Sequence, residues 1–187
     1  MKKQFIIIFV SAIILLVALI ITRRGKKNFE KKEFIDHIKR YSFEIDQSHG
    51  ISPVISLTHA ALESNFGNSD LAREANNLFG VKATDAWIFA GNPVWKGPTI
   101  EYITKFLVFK EKTDVIASFK KYSAIRDAFE DYAVLLNKTI YKNSKKYAVS
   151  GDVKKFAEAI SEDGYATDIN YTDKFINTSK SVITLLN

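Results

Sequence analysis

Glu63 is the residue around which chemistry can be built. It sits in the segment His59-Ala-Ala-Leu-Glu63-Ser-Asn-Phe-Gly67. At 100° per residue, Val54, Ile55, Leu57, Ala61, Leu62 and Phe66 fill a broad apolar arc, and Glu63 lies beside it, one position round from His59. The carboxylate also falls in the last turn before Gly67, where the negative end of the helix dipole disfavours charge. Flanking apolar surface and the dipole both push its pKa upward, which is what a general acid working near neutral pH requires. Taken alone, a solvated helix-terminal glutamate explains the same residues. His59 and Glu63 at i, i+4 could also form half of a metal site. With three histidines (His37, His49, His59) and no cysteine, too few ligands exist to complete it, and zinc is rejected. His59 reads instead as a packing residue or a partner for a nearby backbone group.

The elements that must position Glu63 are mostly helical. The spacing of Phe34, Ile35, Ile38, Tyr41, Phe43 and Ile45 predicts a helix over 33–47. A second is predicted from Ser52 to about Phe66, with Ser52 as N-cap, Pro53 at the first helical position and Gly67 as the stop. Residues 87–110 break this pattern with Gly91, Pro93, Gly97 and Pro98. An alternating run follows, predicting a strand paired with 116–122 across a turn at Glu111–Asp114. Helical spacing returns at 124–139, at 152–162 (closed by Gly164) and at 170–186.

The longer pattern Ala-Leu-Glu63-Ser-Asn-Phe-Gly-Asn-Ser-Asp-Leu-Ala-Arg73-Glu-Ala-Asn-Asn77-Leu-Phe-Gly80-Val-Lys82 resembles the core motif of the glucosaminidases of glycoside hydrolase family 73. These are peptidoglycan hydrolases that include bacterial autolysins and the wall-cutting domain of the flagellar rod protein. The resemblance continues through Trp95-Lys-Gly97, Thr99-Ile-Glu101-Tyr102, Ser118-Phe-Lys-Lys-Tyr122 and Ala128-Phe-Glu-Asp131-Tyr132-Ala-Val-Leu135-Leu136. It ends at Gly164-Tyr165-Ala166-Thr167-Asp168, so that it spans roughly residues 50–185. It implies an α+β, mainly α, lysozyme-like fold of two lobes, with a small β-hairpin lobe and a sugar cleft between them.

The resemblance makes Glu63 the acid that protonates the glycosidic oxygen. It places the second carboxylate at Glu101, for which an exposed strand glutamate is the alternative reading; Asp85 and Glu111 are further candidates. Assistance from the substrate's own 2-acetamido group would make a second protein carboxylate less critical. Tyr165 resembles the family tyrosine near the acid, and a core tyrosine after a helix C-cap is its alternative. Asn77, Trp95, Tyr102 and Asp168 are the expected substrate contacts, with Asn76 and Asn77 resembling the asparagine pair that shapes the turn below the cleft. Trp87 and Phe89, on the same loop as Trp95, are candidates for stacking on sugar faces. No metal or organic cofactor is implied.

Composition sets the outer limits. The chain has 187 residues, 47% of them apolar and 26% charged, enough for one domain with a core. Of 27 basic and 21 acidic residues, eight basic and one acidic fall in residues 1–32, leaving 19 basic and 20 acidic in 33–187. The body is nearly neutral and lacks the footprint of a nucleic-acid binder. Residues 1–4 read as a short tail, 5–22 as a transmembrane signal-anchor, 23–32 as a basic juxtamembrane linker and 33–187 as the glucosaminidase domain. Phe5–Ile21 is apolar except for Ser11 and lacks a small-x-small cleavage site before Arg23-Arg24; a cleaved signal peptide is the competing reading. A literal positive-inside count would put the domain in the cytoplasm. A wall substrate requires the opposite: a single-pass protein of the cell membrane with its catalytic domain on the extracytoplasmic side. The expected activity is an endo-β-N-acetylglucosaminidase cutting the GlcNAc-β-1,4-MurNAc bond. The alternatives are a muramidase or lytic transglycosylase of the same fold, or a weakly catalytic glycan-binding adaptor tethering membrane to wall. The expected partners are peptidoglycan strands, the membrane and a possible membrane protein.

Overall fold

The computed structural model describes residues 29–105, 109–166 and 168–187, and the backbone alone for 100–105 and 109–114. The expected span 5–22 lies outside these residues. Among the described residues no helix is long and apolar enough to cross a membrane.

Helix α1 (Lys31–His49) buries Phe34, Ile35, Ile38, Ser42 and Ile45 at helical spacing and ends at Gly50, whose φ of 68° closes it. Just before it, the Phe29 backbone N–H donates to Asn68 Oδ1 (2.9 Å) and Asn68 Nδ2 donates to the Phe29 carbonyl (3.2 Å). The folded unit therefore includes the end of the expected 23–32 linker. Helix α2 (Pro53–Glu63) is the axis of the molecule, with every residue from Ile55 to Ala61 buried. Where it crosses α1, Ser42 and Ser56 hydroxyls meet at 2.7 Å in the buried interface.

α2 stops at Glu63, three residues short of the expected Phe66. Asn65, Phe66 and Gly67 take left-handed φ values of 50°, 52° and 75° in succession. A Cβ on Gly67 would lie 2.6 Å from the Phe34 ring, so glycine is needed there for space as well as conformation. Helix α3 (Asp70–Ala75), capped by Ser69, and the short α4 (Asp85–Phe89), capped by Thr84, follow.

Strands β1 (Val94–Lys105) and β2 (Phe109–Lys120) form one antiparallel hairpin, in register from Val94 opposite Lys120 to Lys105 opposite Phe109. The expected turn at 111–114 therefore lies within β2, paired with residues 100–103 of β1. The charged run Glu111-Lys-Thr-Asp114 looks like a turn, yet a two-stranded ribbon without a covering layer accepts polar residues along its length. The base of the hairpin is fastened by a bridge between Lys82 and Phe119, by Ala83 N–H to the Ser118 carbonyl (2.9 Å) and by Lys120 N–H to the Val81 carbonyl (3.0 Å).

Helices α5 (Ile125–Leu136), α6 (Lys142–Ser150, after a 3-10 turn at 139–141), α7 (Val153–Glu162) and α8 (Tyr171–Leu186) complete the helical lobe. α8 and α7 pack on α2, and α5 packs on α1. The core they share includes Phe79, Phe129, Tyr132, Phe156 and Phe175, all essentially inaccessible. The expected mainly helical fold with a small β-hairpin is thus present.

Candidate active site

Glu63 occupies the last position of α2, where the helix emerges from the core. Its side chain keeps 24% exposure, and Oε1 accepts a hydrogen bond from Tyr171 at 2.8 Å. Burial raises its pKa from 4.5 to about 7, against the opposing pull of the Tyr171 bond. The carboxyl is therefore substantially protonated near neutral pH. His59, one turn earlier, is fully buried, and burial lowers its pKa to about 3. Its Nε2 lies 3.8 Å from Glu63 Oε1, but a neutral ring makes no ion pair there. His59 is held instead by two phenols, Tyr132 at Nδ1 (2.9 Å) and Tyr171 at Nε2 (2.7 Å). The expectation of a packing residue holds; its polar partners are side chains and not backbone.

Two cavities meet at Glu63. One, of about 850 Å³, lies between the lobes and is lined by Glu63, Trp95, Thr99, Tyr165, Asp168 and Tyr171 among others. The other, of about 500 Å³, continues past Glu63 toward α5 and is lined in part by Lys82, Asp131 and Lys138. Glu63, Gly80, Lys82 and Tyr165 border both. The carboxyl thus sits midway along a groove that extends to either side of it.

The structure brings together Glu63, Tyr165, Trp95 and Asp168 of the residues expected from sequence. Tyr165 donates its hydroxyl to the Phe79 carbonyl at 2.6 Å, anchoring the turn that carries Gly80 beneath the acid. Trp95 donates from Nε1 to Glu74 at 3.0 Å and packs on Phe119. Asp168 pairs with Lys174 at the cavity wall. Asn77 is placed differently: it is buried and borders neither cavity. Its Nδ2 donates to the carbonyls of Val81 (2.9 Å) and Lys120 (2.8 Å), and its Oδ1 accepts from Val81 N–H (3.0 Å). Asn76, in left-handed conformation, donates to the Tyr122 carbonyl at 3.0 Å. The asparagine pair ties β2 and the residues just after it to the loop that carries Val81. The side chains of Glu101 and Tyr102 lie outside the described residues; their backbone belongs to β1, opposite Thr113 and Lys112. Trp87 donates to the Pro93 carbonyl under the Lys120 ammonium, whereas Phe89 is 87% exposed; neither borders the cavities.

Sequence reasoning missed Tyr171 and Gly80 as site residues, and Tyr132 as part of the support behind them. Tyr171 opens a helix whose apolar spacing was legible, but nothing local marks its hydroxyl as the partner of a residue 108 positions earlier.

Among the described residues no cluster of three or more His, Asp or Glu could hold a metal ion. A helical lobe, a hairpin lobe and a groove between them with a carboxyl of raised pKa at its centre define a lysozyme-like hydrolase. Solved structures agree. A peptidoglycan hydrolase mutant from Sphingomonas sp. A1 superposes with a TM-score of 0.71 at 28% identity, over 83% of this chain and 97% of that one. The C-terminally truncated glycoside hydrolase domain of Salmonella typhimurium FlgJ does so with a TM-score of 0.62 at 30% identity, over 83% and 99%.

Residues 39–183 match the glucosaminidase family, described as mannosyl-glycoprotein endo-beta-N-acetylglucosaminidase, and the chain belongs to that family of glycoside hydrolases. Among curated relatives, the exo-glucosaminidase LytG of Bacillus subtilis is 34% identical over 89% of this chain and 57% of its own length. The peptidoglycan hydrolase FlgJ of Escherichia coli K12 is 34% identical over 79% and 45%. The chain spans about half the length of these relatives.

Proposed function

We propose that this chain is a peptidoglycan hydrolase that cuts the β-1,4 bond between N-acetylglucosamine and N-acetylmuramic acid within glycan strands, with Glu63 as general acid. The observation that carries this reading is Glu63 itself, a carboxyl with a pKa of about 7 bordering a groove that runs to both sides of it. A groove open past the acid favours cleavage inside a strand over removal of terminal sugars. Glu63 would protonate the leaving oxygen as the glycosidic bond breaks, while positive charge develops on the sugar ring. Glu101 is the proposed second carboxylate: it follows Thr99, which borders the first cavity, by one strand period on β1. Trp95 and Asp168 would contact the sugars, and Asn77 would act indirectly by holding the groove floor. Residues 5–22 would anchor the domain to the outer face of the membrane, because a wall glycan is reached only from there.

The test uses the full chain and Glu63→Gln on purified peptidoglycan, with products reduced and identified by mass spectrometry. The expected products end in reduced N-acetylglucosamine and are lost in the variant. Ends in muramic acid or its anhydro form would move the assignment to a muramidase or transglycosylase. Binding without cleavage by the wild type would favour the adaptor. Reporter fusions after residue 187 test the orientation, and a cytoplasmic signal would overturn it.

A further inference from the structure

Behind Glu63 the structure holds a line of three buried side chains that the reaction itself does not require: Tyr132 on α5, His59 on α2 and Tyr171 at the start of α8. The line runs from Tyr132 Oη to His59 Nδ1 (2.9 Å), from His59 Nε2 to Tyr171 Oη (2.7 Å), and from Tyr171 Oη to Glu63 Oε1 (2.8 Å). We propose that this line is a one-directional chain of donors which fixes Oε1 as the accepting oxygen of Glu63. The acid's proton is thereby kept on Oε2, the oxygen beside Gly80 at the junction of the two cavities. The proposal rests on the reading of Glu63 as the general acid.

The direction follows from counting protons. A neutral imidazole carries one N–H, and each phenol carries one O–H. If the ring proton is on Nε2, it is donated to Tyr171. Tyr171 then gives its own proton to Oε1, and Tyr132 gives its proton to Nδ1. Every proton meets an acceptor, and the arrangement serves Glu63 whether it is ionised or neutral. If the ring proton is on Nδ1, it points at Tyr132, whose own proton is then left in the core with no other acceptor among the described residues. Tyr171 would turn its proton to Nε2, and an ionised Oε1 would face a lone pair. With Glu63 neutral, Oε1 would carry the proton and donate it to Tyr171, yet the Tyr132 proton would still be left as an unmet buried donor, and that cost disfavours the arrangement in either state of the acid. Oε2 is the oxygen a Cβ on Gly80 would approach to 3.7 Å, and Gly80 borders both cavities. The chain is a positioning device. Its inner end at Tyr132 is buried in the core, so it passes no proton to solvent.

Other charged groups surround the carboxyl. Lys82 borders both cavities, Asp70 and the Asp168–Lys174 pair border the first, and Lys138 with the Lys120–Asp131 pair borders the second; Tyr165 stands beside the acid. Tyr165 packs on the His59 ring at 4.5 Å between centroids, so Tyr171→Phe, which keeps every ring in place, is the variant whose pH response reports the chain most directly.

The test labels the full chain with ¹⁵N-histidine and ¹³C-carboxyl glutamate. The His59 ring should show the Nε2–H neutral form throughout the range of stability, and an Nδ1–H ring would overturn the proposal. In Tyr171→Phe, which deletes one oxygen and keeps the ring, the Glu63 carboxyl titration should move up by about one pH unit. The alkaline limb of kcat should move with it. His59→Leu should lower kcat about tenfold with KM within about twofold and move the limb the same way. His59→Gln, which offers an N–H and a carbonyl in place of the ring nitrogens, should restore most of that loss. Equal losses in Leu and Gln with an unmoved titration would reduce His59 to packing and overturn the proposal. If His59→Leu does not fold, Tyr171→Phe and the ring tautomer decide. The two NMR readouts need no turnover, so a wild type that cleaves no glycan refutes the glucosaminidase reading while the chain is still judged on its own.

Discussion

Replacing Glu63 by Gln should stabilise the protein, and only where the carboxylate would otherwise be charged. The folded state holds this carboxyl at about 7 against 4.5 when solvated. Below pH 4.5 both states are protonated and the group contributes nothing. Between 4.5 and about 7 the unfolded chain releases its proton while the folded chain retains it, so stability falls as pH rises; above 7 the full penalty is present. A difference of that size corresponds to about 3 kcal/mol, an upper figure because the side chain keeps 24% exposure to water. Glutamine removes the charge and retains the buried bond, since its amide carbonyl accepts from Tyr171 where Oε1 does. Urea or thermal denaturation of wild type and variant at pH 4 and pH 8 isolates the effect, because all other titrating groups cancel in the difference. The variant's advantage should grow by up to about 3 kcal/mol between the two pH values, or about 6–12 °C in Tm for a domain of this size. An advantage that is the same at both pH values, or that reverses at pH 8, would refute the claim that burial governs this carboxyl.

Gly80→Ala should cost about 1 kcal/mol, because the residue sits at φ +64°, while its methyl would meet Oε2 at an ordinary 3.7 Å. Denaturation should record that modest loss and steady-state kinetics a larger fall in kcat as the methyl covers the reactive oxygen. Asn77→Ala strands Val81 N–H and removes one donor from each of the carbonyls of Val81 and Lys120, and should lose about 2 kcal/mol in urea titrations. Trp95→Ala removes an indole from the first cavity wall and should raise KM for soluble glycan fragments with little change in kcat.

The position of Glu63 was legible because it depends on local rules: apolar spacing, a proline at the helix start and glycine past its end. The register of α1, α5, α7 and α8 was legible for the same reason. What escaped depends on contacts distant in sequence. α2 looked amphipathic, yet Ser56, Thr58 and His59 are as buried as Ile55 and Leu57. Ser56 and His59 can be buried there because partners arrive from α1, α5 and α8, separated by 14, 73 and 112 positions, whereas the Thr58 hydroxyl has no hydrogen-bond partner among the described residues. The helices α3 and α4 are too short for periodicity to reveal, and the hairpin reversal was misplaced because charge was taken as a turn signal. Trp95 and Asp168, expected as substrate contacts, border the first cavity. Asn77, expected as a substrate contact, borders neither cavity, and its hydrogen bonds go to the backbone of Val81 and Lys120.

The environment that raises the pKa of Glu63 lies behind it and not in the groove. The His59 ring is boxed by Tyr165 at 4.5 Å, Tyr132 at 5.2 Å, Phe175 at 5.5 Å and Phe156 at 5.8 Å between centroids, while Phe79 stacks on Tyr132 at 4.1 Å. This aromatic mass withdraws water from one side of the carboxyl, and the groove leaves the other side open. An open groove would ordinarily let solvent restore a carboxylate to its usual pKa. Here the core supplies the desolvation, so the carboxyl keeps its raised pKa while the groove stays open. The Tyr171 bond limits the effect by favouring the anion, holding the pKa near 7 where a proton can be both kept and given. Desolvation from behind and one donor from the side are opposing influences, and their balance sets the acid's strength before any substrate arrives.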